Sequence, residues 1–233
     1  MFALFGPGAA AWPAGHPVPV GEGPRTALRV AGGLPQHLAA HLSRLEDGAG
    51  ALALPAPWIS GLAPAIRAWI AGAGIPGDRA LRLALHGPEG LVSARLEPLP
   101  STPFPYRLAP LPHPMGDLRG SALARHKGLS GPWRQPALAA ARSRGAEDAL
   151  LLWPDGTLAE TTLAALGLEV EGALILPPPA GRVASLTETL EVPTWAAARG
   201  LDLRREEIRL DQAGEGRLWC LNAVRGFWPA ILL

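Results

Sequence analysis

One lysine stands among the basic residues of this chain, and its rarity makes it the first candidate for chemistry. The sequence has 21 lysine and arginine residues, of which Lys127 alone is a lysine. A coding bias toward arginine would act wherever the two cations are interchangeable, but arginine cannot supply a deprotonatable primary amine. Such an amine can bond covalently to a carbonyl group and can move protons. Lys127 is therefore a candidate nucleophile and acid/base group, and a surface lysine that escaped the bias is the alternative.

Three further features could complete a site for a cofactor bound to that lysine. Glu160 is a carboxylate in an otherwise apolar predicted strand, where an ion needs a partner. Ser185, Leu186 and Thr187 stand at the predicted start of a helix, where backbone N–H groups and the helix dipole attract an anion. Arg44 could add donors to the same anion. Pyridoxal phosphate needs such a set: a lysine, a carboxylate for its ring nitrogen and donors for its phosphate. A solvent-exposed Glu160 is the alternative.

The elements predicted for the first half place an arginine and two histidines on one helix. A strand that ends at a Gly-Gly turn precedes this helix. Leucines recur along the helix at helical spacing, with His37, His41 and Arg44 on an adjacent face. The histidines are predicted to be core or capping residues, because no HExxH pattern and no third ligand indicate a metal site. A helix within 59–73 and a hairpin with its turn at 87–90 complete this half.

A proline-rich segment divides the chain into two predicted domains. Residues 98–117 contain seven prolines and little periodicity, which is typical of an extended connector. We therefore expect an N-terminal domain over 1–105, a connector over 106–120 and a C-terminal domain over 121–233. Lys127 would lie in the C-terminal domain.

The second half is predicted to contain a helix, a β-meander, another helix and two final strands. Pro136 suits the first turn of the first helix and Gly145 its end. Turns at 154–156 and 171–172 separate the strands of the meander. The later helix is predicted from about residue 186 to 199, with a serine as its N-cap. The two final strands are predicted at 206–210 and 217–222. The whole chain is therefore predicted to be α+β.

Composition excludes several classes of protein. With 233 residues, 48% hydrophobic and 18% charged, the chain can bury a core. A formal net charge of +1 gives no reason to expect nucleic acid or a membrane surface as a partner. No run approaches the roughly 20 apolar residues of a membrane-spanning helix, and the amino terminus lacks the parts of a secretory signal. The single cysteine, Cys220, is predicted to be a buried thiol and suits a reducing cytosol. We expect a cytoplasmic protein that binds a small molecule.

Six segments occur in the order in which a known enzyme family has them. GEGPRTALRV resembles the family's GDGxFETxRV, and HLSRL resembles HLxRL. LARHKGLSG is similar to the lysine segment, and GAEDALLLWPDGTLAETT to the stretch xDEALLLDxDGxVxE. GRVASLT matches GxLxGIT, and LNAVRGFWPA matches NSLxGVxPV. From about residue 21 to 232 the chain resembles the class IV aminotransferase-like proteins, which are the fold type IV pyridoxal phosphate enzymes.

The resemblance implies a two-domain α+β fold with the cofactor site between the domains, and it implies a role for each candidate. Lys127 would form the Schiff base with pyridoxal phosphate and move protons. Glu160 would hold the pyridine nitrogen, and Arg44 would bind the phosphate. Proteins similar to this one are homodimers, so a homodimer is implied. Further cofactor contacts are implied for Leu186, Thr187, Asn222 and Ala223.

Three departures from the family pattern affect the substrate side. The Phe-Glu-Thr of the first motif is Arg-Thr-Ala here, with Thr26 at the place of the glutamate. The asparagine usually five residues beyond the strand glutamate is Ala165, and an Arg-Gly pair is represented by His86 and a glycine. These changes make standard transamination less favoured than cofactor binding.

Within the family, the resemblance favours an aminodeoxychorismate lyase. The SALARHKGL segment and the short chain are similar to the lyases, some of which also carry threonine at the position of Thr26. Such an enzyme converts 4-amino-4-deoxychorismate to 4-aminobenzoate and pyruvate, a reaction of folate biosynthesis. Lys127 would remove the ring proton, and Thr26 would position or relay a proton to the departing group. A branched-chain or D-amino-acid aminotransferase and a non-catalytic dimeric scaffold are the alternatives. The substrate is expected to be a small amine that bears carboxylates, for which the candidate partners are Arg25, Arg29, His86 and Arg107.

Overall fold

A computed structural model describes residues 1–6, 23–54, 56–87, 90–128 and 133–233. Helices and strands are mixed, which confirms the predicted fold class. The chain divides into two compact units. The first comprises Met1–Pro100 with His126–Leu129, and the second comprises Ser101–Arg125 with Ser130–Leu233. No helix in the described ranges has the length and apolar run that crossing a membrane requires.

The first unit is an antiparallel sheet with two α-helices. Its strands are paired in the order β1-β5-β4-β2-β3. A short 3-10 turn leads into the second helix. The predicted strand, first helix and paired hairpin strands are confirmed, whereas residues 88 and 89 of the predicted turn lie outside the described ranges. The elements are β1 (Phe2–Phe5), β2 (Arg25–Ala31), β3 (Leu34–Pro35), α1 (Leu38–Ala51), α2 (Ala63–Ala73), β4 (Arg79–His86) and β5 (Leu91–Pro98).

Side-chain alternation on β2 decides what faces helix α1. Thr26, Leu28 and Val30 are buried, because a strand turns every second side chain toward the same face. The leucines of α1 at helical spacing pack on the same core. Each buried leucine contributes roughly 1.5–3 kcal/mol to folding. The apolar pattern therefore fixes the register that turns Thr26 inward.

The second unit is a larger mixed sheet with three α-helices. Its strands are paired in the order β11-β10-β9-β12-β13-β6-β7-β8. The pairs β6/β7, β6/β13 and β10/β11 are parallel. Its elements are β6 (Arg107–Pro112), α3 (Arg134–Ser143), β7 (Asp148–Leu152), β8 (Leu158–Thr161), β9 (Ala165–Val170), β10 (Ala173–Leu176), α4 (Leu186–Leu190), α5 (Val192–Ala197), β11 (Asp202–Arg205), β12 (Arg217–Asn222) and β13 (Gly226–Leu232).

Part of the predicted connector over 106–120 is a strand in the interior of the second sheet. Strand β6 lies between β7 and β13, and Leu108 and Leu111 are buried in it. Pro110 and Pro112 lack the N–H group that a central strand normally donates, so they argued against a strand at this place. Burial of the neighbouring leucines outweighs the missing donors.

Three other predictions for this half change in the structure. The strands of the predicted meander are present, but β8 lies at the sheet edge beside β7, whereas β9 pairs with β10 and β12. The single helix predicted from residue 186 to 199 is two short helices, because Pro193 has no N–H group to continue the first and instead starts the second. Residues 206–210 contribute only the bridge from Arg209 to Thr157, and β13 is the last strand instead.

Lys127 lies in the first unit, whereas the sequence places it in the C-terminal domain. The N–H of Arg25 donates to the carbonyl of Lys127 over 2.9 Å. The next residue, Gly128, has a φ of 131°, and a Cβ there would lie 2.6 Å from the carbonyl oxygen of Gly23. The lysine segment therefore docks on the start of β2 through a backbone contact that only glycine permits.

Candidate active site

The lysine segment and strand β2 bring Lys127 and Thr26 into the same part of the first unit. Lys127 is held by the backbone of Arg25, the residue that precedes Thr26. The Thr26 hydroxyl oxygen lies 2.6 Å from Nδ1 of His41 on α1. Thr26 is 2% exposed and His41 is 1% exposed, so this hydrogen bond is shielded from water. The prediction of His41 as a core residue is confirmed, but its imidazole is bonded to a candidate catalytic hydroxyl.

Burial and nearby basic residues lower the pKa of the His41 imidazole. Burial, followed by the charges of Arg44, Lys127 and His37, lowers the pKa of His41 to about 3. The imidazole is therefore neutral at physiological pH. The same interactions show that Arg44, a half-buried residue of α1, acts with Lys127 on this group. Thr26, His41, Arg44 and Lys127 thus form one cluster within the first unit.

In the second unit, Glu160 is a buried carboxylate with a cationic partner that the sequence did not reveal. Its Oε1 accepts a hydrogen bond of 2.9 Å from Nη2 of Arg134, at the start of α3. Nη1 of Arg134 donates to the carbonyl of Thr162 over 2.7 Å. Glu160 is 6% exposed, so the exposed alternative is excluded. A carboxylate has about four acceptor positions, which leaves capacity for another donor.

A histidine between two tryptophans extends this group. The centroid of the His113 ring lies 4.7 Å from the ring centroid of Trp133 and 4.8 Å from that of Trp153. The Arg134 guanidinium lies over Trp133 at 4.7 Å. Burial, followed by the charge of Arg134, lowers the pKa of His113 to about 4. No spacing along the chain indicates this cluster, because its members come from separate segments.

The segment that the resemblance assigns to phosphate binding is supported by buried ion pairs. Ser185 caps α4 by accepting from the N–H of Glu188 over 3.3 Å. The Glu188 carboxylate is bonded by Arg182 and by Nη1 of Arg205, the latter at 2.9 Å. Arg182 also donates to the carbonyls of two prolines. The first turn, which contains Leu186, has N–H groups with no acceptor inside the helix.

The late motif forms a tight turn between β12 and β13. Oδ1 of Asn222 accepts from the N–H groups of Val224 and Arg225 at 3.0 and 2.8 Å. Its Nδ2 donates to the carbonyl of Leu163 at 3.1 Å. Ala223 lies inside this turn and is half-buried. The side chain of Asn222 therefore shapes the backbone of the turn.

The predicted substrate-binding residues are dispersed. Arg25 is exposed at the start of β2. The imidazole of His86 shares a 2.8 Å hydrogen bond with Ser93. Arg107 is paired with Glu147 over 2.7 Å. Arg29 has its own carboxylate partner in an aspartate of the first unit. The backbone of Arg25 connects this residue to Lys127.

Cys220 is buried in the second core, as predicted. Burial raises the pKa of its thiol well above the usual value. Among the described residues, no three His, Cys, Asp or Glu side chains come together to hold a metal ion.

Comparisons with known proteins agree with the resemblance of the motifs. A family model described as amino-transferase class IV matches residues 25–232. A fold IV transaminase from Curtobacterium pusillum is 24% identical, with a TM-score of 0.83 over 100% of this chain and 92% of that one. A hypothetical aminotransferase from Mycobacterium tuberculosis, solved in a pyridoxal phosphate-bound form, is 20% identical, with a TM-score of 0.83 over 99% and 90% of the two chains. A proposed 4-amino-4-deoxychorismate lyase is 26% identical, with a TM-score of 0.76 over 94% and 89%. No curated protein matches the sequence.

Each unit, taken by itself, holds groups of a kind that pyridoxal phosphate needs. Thr187 is 1% exposed and its hydroxyl has no hydrogen-bond partner among the described residues, so it suits a phosphate oxygen. Glu160 retains acceptor capacity for a protonated ring nitrogen. Lys127 carries a primary amine.

Proposed function

Because the chain belongs to the amino-transferase class IV family, whose cofactor is pyridoxal phosphate, we propose that it is a lyase that converts 4-amino-4-deoxychorismate to 4-aminobenzoate and pyruvate. The observation that carries this proposal is the Thr26 hydroxyl, buried and bonded to a neutral His41 in the cluster that contains Lys127. The resemblance places a glutamate at this position in aminotransferases. A hydroxyl there suits the protonation of a leaving oxygen.

Each unit would contribute its own groups to the cofactor. Pyridoxal phosphate, when bound, supplies an aldehyde that captures amines and a ring that withdraws electrons. In the first unit, Lys127 would hold the aldehyde carbon and Arg44 the phosphate. In the second, Glu160 would accept a hydrogen bond from the ring nitrogen. Further phosphate contacts would come from the N–H groups of Leu186, Thr187 and Ala223, the last held in place by the turn that Asn222 forms.

Proton transfers by two residues would carry out the elimination. Nζ of Lys127, freed once the amine of the substrate takes its place on the cofactor, would remove a proton from the ring carbon that bears the amine. The electron pair of that C–H bond forms a ring double bond, and the neighbouring C–O bond to the enolpyruvyl group breaks. The hydroxyl of Thr26 gives its proton to the departing oxygen, and the enol becomes pyruvate. The ring becomes aromatic, which drives the reaction forward.

The similarity to a proposed lyase at 26% identity over 94% of this chain supports this reaction. The family description favours a second candidate, a branched-chain or D-amino-acid aminotransferase. That reaction uses the same lysine for proton transfer but requires a residue that holds the amino acid carboxylate. A non-catalytic homodimeric scaffold is the third candidate, motivated by the altered motif around Thr26.

The first experiment adds pyridoxal phosphate to the purified protein, records the visible spectrum and reduces the sample with borohydride. Lys127 is the chain's sole lysine, so peptide mass mapping locates the label without another ε-amine to confuse it. We expect the label on the Lys127 peptide and none on a Lys127→Arg variant, which keeps the positive charge. A folded protein that binds no chromophore contradicts both enzyme candidates and leaves the scaffold.

The second experiment distinguishes the two reactions. Release of pyruvate from 4-amino-4-deoxychorismate is followed through NADH oxidation by lactate dehydrogenase, and 4-aminobenzoate is followed by its fluorescence. Separately, the loaded protein receives branched-chain and D-amino acids without a keto acid. We expect pyruvate and 4-aminobenzoate in equal amounts and no lasting conversion of the cofactor by amino acids. Stable conversion by an amino acid, without pyruvate release, assigns the protein as an aminotransferase.

A further inference from the structure

The hydrogen bond between Thr26 and His41 can run in either direction, and the direction decides what Thr26 can do. If the hydroxyl donates to Nδ1, its proton is occupied by the imidazole. If Nδ1–H donates to the hydroxyl oxygen, the hydroxyl proton is available to another acceptor. The distance of 2.6 Å fits either case. The surroundings of the other ring nitrogen, Nε2, therefore decide.

Nε2 of His41 is buried and has no hydrogen-bond partner among the described residues. A neutral imidazole places either an N–H group or a lone pair at this position. A buried N–H group that lacks an acceptor is rarer in folded proteins than a buried acceptor that lacks a donor. Because Nε2 has no partner in the described part of the chain, the lone pair is its favoured state. The proton is then on Nδ1, where the Thr26 oxygen at 2.6 Å can accept it.

We propose that His41 is a positioning residue: its Nδ1–H donates to the oxygen of Thr26 and so keeps the hydroxyl proton of Thr26 for the leaving oxygen of the substrate. The proposal rests on the proposed lyase function. Burial of both side chains excludes water that could otherwise reorient the hydroxyl. Thr26 lies within the part of β2 that pairs with β4. This pairing holds the backbone of Thr26 in place relative to α1.

The proton balance closes within the cluster. Lys127 takes one proton from the ring carbon, and Thr26 gives one proton to the departing enolpyruvate oxygen. The Lys127 ammonium then returns a proton to Thr26, so both groups recover the protonation states that they had before the elimination. His41 keeps its Nδ1 proton throughout and acts only through Thr26.

The tautomer is measured directly by nitrogen-15 NMR of protein labelled at histidine. The chain has six histidines, so the spectrum of a His41→Asn variant identifies the His41 signals by their loss. We expect a protonated Nδ1 and an unprotonated Nε2 at pH 7, in the protein both with and without pyridoxal phosphate. A proton on Nε2, or on both nitrogens, overturns the proposal whether or not the protein is active.

The second measurement uses substrate in D2O and separates proton removal from C–O cleavage. In the wild type, we expect little deuterium in recovered 4-amino-4-deoxychorismate, because cleavage follows proton removal quickly. In His41→Leu we expect kcat to fall by about 10- to 100-fold. Deuterium should then accumulate at the ring carbon that bears the amine, because Lys127 can return a proton before the C–O bond breaks. His41→Asn, which retains an N–H donor, should recover part of the rate.

A double-mutant cycle with Thr26→Val supplies the control. His41→Leu should have no further effect on the elimination once the hydroxyl is absent. If His41→Leu still binds the cofactor but loses deuterium exchange and elimination to the same extent, His41 has a purely structural role. That result overturns the proposal, whereas the lyase assignment stands. Failure of the wild type to release pyruvate instead contradicts the lyase function and, with it, donation to that leaving group.

Discussion

Removal of Glu188 should destabilise the protein more than removal of its buried partner Arg182. The side chains of Glu188 and Arg182 are 3% and 2% exposed, and Arg205 approaches the same carboxylate from a half-exposed position. Glu188→Gln leaves the Arg182 guanidinium buried without a counter-ion. Arg182→Met leaves Glu188 still paired with Arg205. The two partners of one ion pair are therefore not equivalent.

The expected magnitudes follow from this difference. An uncompensated buried charge costs about 3–5 kcal/mol, which is the expected loss for Glu188→Gln. Arg182→Met loses hydrogen bonds to a carboxylate that keeps one cation, for about 1.5–3 kcal/mol. With a urea dependence of about 1–3 kcal/mol per M, the Glu188 variant should unfold at a urea concentration lower by about 1–5 M. Replacement of both residues by Arg182→Met with Glu188→Leu should recover part of the loss.

Urea unfolding of the cofactor-free protein, followed by tryptophan fluorescence, measures these changes. The matched control is Asp202→Asn, which breaks the exposed pair with Arg204 at 2.7 Å and should leave the midpoint unchanged within error. The reasoning is refuted if Glu188→Gln unfolds with the wild type, or if Arg182→Met is the more damaging of the two. Such results would mean that water reaches the pair and screens its charges.

Other predictions concern pH, backbone geometry and thiol reactivity. His41 and His113 have pKa values of about 3 and about 4, below the usual 6.5, so the unfolded chain takes up protons first as the pH falls below about 6.5. The free energy of unfolding should then decrease by up to about 1.4 kcal/mol per pH unit for each histidine. His113→Asn should remove the contribution of His113 to the slope of urea midpoints against pH. An unchanged slope would contradict the lowered pKa of His113. Gly128→Ala should displace the lysine segment and reduce borohydride labelling several-fold, whereas Gly120→Ala, where an added Cβ meets nothing within 4 Å, should label normally; equal labelling would show that the segment adapts. Cys220 should react with a thiol reagent only in urea, and rapid labelling of the folded protein would contradict its burial.

Local patterns in the sequence were sufficient for much of the first unit, although strands β1 and β3 were not predicted. Alternation on β2 and leucine spacing on α1 predict both elements, and together they place a strand against a helix. The same spacing held a further signal, because His41 lies among Leu38, Leu42 and Leu45 on the buried face. A polar residue on an apolar face needs a partner, and the nearest inward-facing polar residue of β2 is Thr26. The pair could have been inferred from the sequence on that ground.

The second unit resisted prediction where distant segments meet. The prolines of β6 argued against a strand. Local sequence does not show that β6 pairs in parallel with a strand on each side. Arg134 pairs with Glu160 from 26 positions away, and Arg205 reaches Glu188 from 17. Such partners follow from sheet order, which short-range spacing does not encode. The grouping of Lys127 with the first unit likewise depends on a long-range backbone contact.

Buried polar side chains mark the candidate site in both units more clearly than any single motif. Burial of a polar group costs free energy unless it is paired, and apolar replacements of similar size often stabilise a core. A fold alone would therefore favour apolar residues at these positions. Instead, most buried polar residues of the described chain lie on the segments that resemble the family motifs. They are Thr26, His41, Asp148, Thr157, Glu160, Thr161, Thr162, Arg182 and Thr187.

This placement also explains why Glu160 is a candidate in the sequence. Its strand is buried on both faces, so a carboxylate there indicates a requirement other than packing. The requirement is met in part by Arg134, and the remaining acceptor capacity suits a cationic ring nitrogen. Without the cofactor, buried polar groups of the second unit should lack hydrogen-bond partners. Pyridoxal phosphate should therefore stabilise the folded protein in proportion to the logarithm of the pyridoxal phosphate concentration. Thermal unfolding at increasing concentrations of pyridoxal phosphate measures this dependence, and inorganic phosphate alone should reproduce only a small part of it. A melting temperature that does not respond to the cofactor would contradict the assignment of these buried groups to cofactor binding.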